Sequence, residues 1–212
     1  MRVTREIELR TAAMSRRVRW QNGRGITEEL AVWPRGSAFE SGDFDGRISK
    51  ARVEEDGPFS AFEGFERILV VTAGDGLVLT HGDGRRARVR ALEPYRFDGG
   101  LETRAELTAL AVSDFNVFTR RGANRADVEA VRLGLRRTRV SVGPGDAFVH
   151  LLSGAAVVRV PREEEPFELT SGESVWARGL MVEEEFEIGG LTADSVVLVV
   201  RIEELASGSW RD

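Results

Sequence analysis

The chain contains no cysteine, which excludes disulfides, thiolate metal sites and a cysteine nucleophile. The fold must rest on its packed cores. Histidine is nearly as scarce: His81 and His150 are the only two, and neither stands in a His-x-His or Glu-x-x-His pair. No set of three or four metal ligands can be assembled, so neither a metal nor another cofactor is expected. Lysine is reduced to Lys50 among 30 basic residues, which makes arginine the default cation and a single arginine weaker evidence of function than usual. No charge sign dominates, since 35 acidic residues bring the net charge only to −5 and both signs are mixed along the chain. That balance leaves no electrostatic footprint for nucleic acid or an anionic membrane. No apolar run approaches a membrane span, and Met1 to Trp20 is charged throughout, without the apolar core of a signal peptide. A soluble, cytoplasmic protein is expected. Amphipathic helical periodicity, a nucleophile elbow, a phosphate-cradling loop opening a helix and a dinucleotide fingerprint are all missing as well.

What is present is β-structure. With 212 residues and 42% hydrophobic content the chain can build one large or two small domains. Ile68 to Val71 is continuously apolar and β-branched, as in a strand covered on both faces. Gly74-Asp75-Gly76 then carries a hairpin signal, with Leu77 to Leu79 starting the return. Further strands are read at Arg47–Val53, Ala87–Leu92, Leu107–Val112, Val128–Leu135 and Arg139–Val142. The second half repeats the first: Glu66 to Leu79 aligns with Asp146 to Arg159, matching Gly74 with Gly154, and Leu107–Val112 aligns with Ser195–Val200. A repeat of this length predicts an all-β protein of two similar antiparallel barrels or sandwiches. The acidic runs Glu163 to Glu165 and Glu183 to Glu185 read as solvated faces.

Candidate binding residues fall in the first half. Trp20-Gln-Asn-Gly-Arg-Gly-Ile-Thr-Glu-Glu places Gly23 and Gly25 where backbone could approach a bound group, with Asn22 and Thr27 as hydrogen-bonding side chains. A plain hairpin on an Asn-Gly turn accounts for the same glycines. Arg47, Ser49 and Ala51 share one face of a strand. Phe59, Phe62 and Phe65 recur every three residues after the Asp56-Gly-Pro turn, so the loop is expected to pack its aromatic side down, leaving Ser60 and Arg67 as its polar groups. His150 reads as a core or barrel-lining residue and His81, in a Gly-rich tip, as exposed.

Trp20-x-Asn-Gly-x-Gly-x-Thr-x-Glu29, Arg47-x-Ser-x-Ala51, Asp56-Gly-Pro-Phe-Ser-x-Phe62, Gly64-x-x-Arg67 and Asp114-Phe-Asn-Val117 together resemble the HutD/Ves family, in order, over about the first 120 residues. The chain departs from that pattern at Gly46, Glu63, Glu66 and Phe118, where the family often has Trp, Pro, Asp and Met. The resemblance implies a bicupin, that is, two cupin-like antiparallel β-barrels in tandem. They would span residues 1–120, carrying the family motifs, and 126–212. It also implies a role tied in many members to histidine utilisation or to stress responses, with no settled enzymatic activity. The reading that follows is a metal-free protein that binds a small polar metabolite, a carboxylate or amide-bearing acid. Asn22, Thr27, Glu29, Arg47, Ser49, Ser60 and Arg67 line its site, and Phe59 and Phe62 wall it. A guanidinium can grip a carboxylate in a bidentate fork. A homo-oligomer is compatible with the sequence. Two other readings stand beside this one: a metal-independent isomerase, epimerase or lyase using Glu29 or His150 as base, and a ligand-free protein-interaction module.

Overall fold

The computed structural model describes residues 4–19, 26–34, 36–38 and 42–205. Among these it contains no α-helix and a single 3-10 turn, Ala12–Met14. The strands are β1 (Glu6–Arg10), β2 (Arg16–Arg19), β3 (Ile26–Trp33), β4 (Gly46–Val53), β5 (Gly57–Phe59), β6 (Phe65–Ala73), β7 (Leu77–His81), β8 (Arg86–Val89), β9 (Tyr95–Asp98) and β10 (Thr103–Leu107). They continue as β11 (Val112–Arg120), β12 (Asn124–Arg132), β13 (Arg137–Val142), β14 (Gly145–Ser153), β15 (Ala155–Arg159), β16 (Phe167–Thr170), β17 (Ser174–Leu180), β18 (Glu184–Gly190) and β19 (Val196–Glu204). No helix among the described residues is long and apolar enough to cross a membrane.

The chain divides into two compact units after Met14 and after Arg125, so that Ser15–Arg125 form one and the residues up to Met14 with Ala126–Glu204 form the other. Each unit is a pair of sheets. In the first, the order β2-β3-β4-β11-β6-β9 faces β5-β10-β7-β8; in the second, β12-β19-β14-β17-β1 faces β13-β18-β15-β16. Shifting every strand number by eight turns β4-β11-β6-β9 into β12-β19-β14-β17, and β5-β10-β7-β8 into β13-β18-β15-β16. The repeat in the sequence is therefore a repeat of the pairing pattern.

The expected closed barrels are not formed. Each unit is two open sheets over an apolar core, Leu69 and Val71 of β6 meeting Leu77 and Leu79 of β7 in the first, and Val149 and Leu151 of β14 meeting Ala156 and Val158 of β15 in the second. The expected hairpin at Gly74-Asp75-Gly76 is likewise a crossover: β6 pairs with β11 and β9, β7 with β10 and β8. Glycine is required there because the backbone passes close to its neighbours. Gly74 has φ of 94°, and a Cβ on it would lie 2.9 Å from the Ala111 carbonyl oxygen. The matching Gly154 has φ of 79°, and its Cβ would lie 2.3 Å from Thr192 Oγ1. Both corners carry the chain from one sheet to the other, which Gly-rich chemistry permits as readily as a hairpin.

Two further expectations are corrected. Leu107–Val112 is not a strand but the end of β10, a bend and the start of β11, with Leu110 82% exposed. Apolar composition alone could not place the bend, which Thr108 anchors by donating from Oγ1 to the Gly76 carbonyl at 2.9 Å. Glu184, read as part of a solvated acidic run, is buried because Arg5 and Arg162 reach it at 3.4 and 3.7 Å.

Candidate site on the inner face of the six-stranded sheet

Cross-strand register assembles the polar residues. Directly paired residues of antiparallel strands project to the same face. The pairings Val32↔Arg47, Arg47↔Phe118, Phe118↔Arg67 and Arg67↔Phe97 make one continuous row across β3, β4, β11, β6 and β9. The next row on that face is Glu29, Ser49, Asn116, Leu69 and Tyr95, and the one after it Thr27, Ala51, Asp114 and Val71. A bulge between Glu29 and Ala31 lets Glu29 oppose Ser49 while Val32 opposes Arg47. All three rows of this face carry buried polar or charged side chains: Arg47 and Arg67 in the first, Glu29, Ser49 and Asn116 in the second, and Asp114 in the third.

Two diagonal contacts hold the charges. Arg47 donates from Nε to Glu29 Oε2 at 2.8 Å, both side chains being buried. Arg67 donates from Nε and Nη2 to a single acceptor, Asn116 Oδ1, at 2.9 and 2.6 Å. Asn116 in turn donates from Nδ2 to Asp114 Oδ1 at 2.9 Å. The amide orientation of Asn116 is thereby fixed: its oxygen can only face Arg67 and its nitrogen only Asp114. Asn116 thus stands between a buried cation and a buried anion that do not touch.

Aromatic rings enclose the Arg67 guanidinium. Its Cζ lies 4.5 Å from the Phe59 ring centre, 5.1 Å from that of Phe118 and 5.4 Å from that of Phe97. Phe59 belongs to β5 of the facing sheet, so the cation sits between the two sheets. Such contacts favour a cation but offer it no hydrogen-bond acceptor. Of its five N–H donors, two are directed at Asn116, and the remaining three have no hydrogen-bond partner among the described residues. Burial holds the Arg67 pKa down at about 10, against the attraction of Asp114, with Arg47 lowering it further. Burial likewise pushes Asp114 up to about 6, opposed by Arg67 and by hydrogen bonds from Asn116 and the Ala51 amide. Two charges held at such cost are more characteristic of a site than of a scaffold.

The sequence-derived candidates are distributed as follows. Glu29, Arg47, Ser49 and Arg67 are buried on the inner face, with Thr27 half-buried in the third row. Phe59 walls Arg67, and Phe62 packs on Phe118 at 4.8 Å, the chain having folded back after the Asp56-Gly57-Pro58 turn. Ser60 is exposed between β5 and β6. Asn22 lies outside the described residues. Asp114, Asn116, Phe97 and Phe118 are part of the arrangement although sequence reasoning did not name them as site residues. The signal was available in Asp114-Phe-Asn-Val-Phe118, whose period of two places Asp, Asn and Phe on one face of a strand.

His81 is not exposed as expected but 2% accessible, hydrogen-bonded through Nδ1 to Thr103 Oγ1 at 2.9 Å and through Nε2 to the Tyr95 hydroxyl at 3.0 Å. His150 is a core residue, 1% accessible, its Nδ1 2.8 Å from Ser174 Oγ. Among the described residues no group of three or more His, Cys, Asp or Glu side chains is arranged to hold a metal ion.

Residues 12–190 match the HutD family. The chain belongs to the HutD family. The fold is that of its structural relatives. A conserved protein of unknown function from Pseudomonas aeruginosa PAO1 is 26% identical, with a TM-score of 0.82, over 95% of this chain and 100% of that one. HutD from Pseudomonas fluorescens SBW25, whose structure is described in a formate condition, is 23% identical with a TM-score of 0.77 over 95% and 100%. A cupin 2 conserved barrel domain protein from Leptotrichia buccalis, 12% identical over 84% and 89% with a TM-score of 0.51, shares the fold. This HutD-family chain is therefore all-β and cupin-like.

Proposed function

We propose that the protein is a metal-free bicupin that binds a small carboxylate-bearing metabolite at Arg67, and that this binding regulates amino-acid catabolism, histidine catabolism in particular, in the cytoplasm. The tandem arrangement rests on the eight-strand repeat of the pairing pattern. One observation carries the binding reading: a guanidinium boxed by three aromatic rings directs two N–H groups at one amide oxygen and leaves three others without a partner among the described residues. Guanidinium N–H groups that no described residue takes up are open to an outside acceptor, and a charged donor favours a charged one. A carboxylate supplies both the acceptor atoms and the missing negative charge, since Asp114 is held off by Asn116. Glu29 already engages Arg47, so Arg67 is the cation left for a ligand.

The test compares formate and acetate with acetamide, which is similar in shape to acetate but uncharged, by thermal shift and calorimetry on the wild-type protein. The carboxylates raise the melting temperature in a saturable manner and acetamide does not. Absence of any effect, or an equal effect of acetamide, would sink the reading and leave Arg67 as a structural tie between β6 and β11.

A further inference from the structure

Beside the Arg67 box, and not used by it, stands a directional hydrogen-bond chain. Thr103 donates its one hydroxyl proton to the Leu101 carbonyl at 3.1 Å. Its oxygen is therefore an acceptor toward His81, 2.9 Å away, and the imidazole must carry its proton on Nδ1. Burial, reinforced by Arg85, lowers the His81 pKa, with Asp83 acting in the opposite direction. The ring is thus neutral at physiological pH and its Nε2 is bare. The Tyr95 hydroxyl, 3.0 Å from Nε2, has to be the donor there. With that proton committed, the phenolic oxygen has only lone pairs to offer.

The placement gives this a use. Register sets Phe59, Thr103 and His81 in one row of the four-stranded sheet, and Arg67 with Phe97 in one row of the six-stranded sheet. Phe97 is the shared wall: its ring centre is 5.4 Å from Arg67 Cζ, 5.1 Å from the His81 ring and 5.6 Å from the Tyr95 ring. Tyr95 stands opposite Leu69, two residues along β6 from Arg67, a strand distance of about 7 Å. Tyr95 is half-buried. We propose that Tyr95, held as an obligate acceptor by His81 and Thr103, is a second recognition point of the same site, selecting carboxylates that carry an O–H or N–H donor about four atoms from the carboxylate carbon. This inference rests on the Arg67 reading and adds to it the donor-bearing end of the ligand. It is the only tyrosine in the chain, so the contribution can be removed by a single oxygen.

The experiment titrates butyrate and 4-hydroxybutyrate into the wild-type protein, Tyr95→Phe and Arg67→Met. The wild type binds 4-hydroxybutyrate roughly 3- to 10-fold more tightly than butyrate, the span of one net hydrogen bond. Tyr95→Phe removes the preference, and Arg67→Met loses both ligands. Equal binding of the two acids to the wild type, or a preference that survives Tyr95→Phe, overturns the role of Tyr95 and leaves that of Arg67 standing. If neither acid binds, the Arg67 reading fails and this one with it. Independently, imidazole 15N shifts of the unliganded protein show His81 protonated at Nδ1 and bare at Nε2; the opposite tautomer contradicts the proposal.

Discussion

Replacing Arg67 by methionine separates a ligand-binding arginine from a structural one. Methionine keeps an unbranched apolar stem among Phe59, Phe97 and Phe118 and removes only the charged head. The pKa of Arg67, held down near 10, corresponds to a net electrostatic cost on the order of 3 kcal/mol at 1.36 kcal/mol per unit, burial outweighing the attraction of Asp114. The substitution relieves that cost. Against it stand the hydrogen bonds to Asn116, about 1.5–3 kcal/mol for a charged donor, and ring contacts worth about 0.5–1 kcal/mol each. The terms nearly cancel, so urea unfolding of Arg67→Met should fall within about 2 kcal/mol of the wild type. Leu69→Ala, at a fully buried position two residues along the same strand, should cost about 2–5 kcal/mol. Acetate binding to Arg67→Met should weaken by at least about 30-fold, the loss of a charge-assisted pair. If Arg67→Met is as destabilised as Leu69→Ala, the desolvation argument is wrong and the arginine is a strut.

Three further outcomes follow from the same geometry. Asp114 titrates near 6 when folded and 3.8 is its ordinary value, so the native state binds the extra proton between those limits and this group's contribution to stability increases as pH falls from 7 toward 4. Comparing wild type with Asp114→Asn should isolate a gain of about 2 kcal/mol between pH 7 and 4.5, and acetate should bind the wild type more tightly at pH 5.5 than at 7.5, because the competing carboxylate is neutralised while Arg67 stays charged; a flat difference curve would refute the burial of Asp114 as an anion. Glu29→Ala, which removes one partner of a buried pair, should cost about 3–5 kcal/mol in chemical denaturation, whereas Glu106→Ala, opposite Arg86 on the exposed surface, should cost less than about 1 kcal/mol. Gly46→Ala would place a Cβ 1.8 Å from the Trp33 ring and should destabilise by about 1–3 kcal/mol as the indole is displaced, measurable as a red-shifted tryptophan emission; an unchanged melting temperature would show that Trp33 has room to move.

The local parts of this structure were legible in the sequence and the non-local ones were not. Ile68 to Val71 announced a strand buried on both faces, and the alternation Arg47, Ser49, Ala51 announced a polar face; both are properties of one segment. The alignment of Gly74 with Gly154 marked equivalent corners, but whether Gly-Asp-Gly turns a hairpin or carries the chain to another sheet depends on partners dozens of residues away. The same limit hid His81, whose Gly-rich setting suggested solvent while its partners Tyr95 and Thr103 lie 14 and 22 positions downstream. It also hid the function of Asn116, which becomes the hinge of the site only because β11 lies between β4 and β6. Glu184 gave no local sign of burial, since its neighbours Glu183 and Glu185 are exposed. Residue types and faces could be read from the chain; register, which brings Arg67, Asn116 and Asp114 together, could not.

The central claim, that the free edge of Arg67 receives a carboxylate, is tested most directly at the guanidinium itself. Arginine side-chain 15N spectra of the wild-type protein should contain a slowly exchanging set of Nη signals that is absent from Arg67→Met, and titration with acetate should shift the Nη1 resonance of that set in a saturable manner while acetamide leaves it in place. An Arg67 resonance that acetate does not move, at concentrations where acetate stabilises the protein against heat, would place the carboxylate elsewhere and contradict the account.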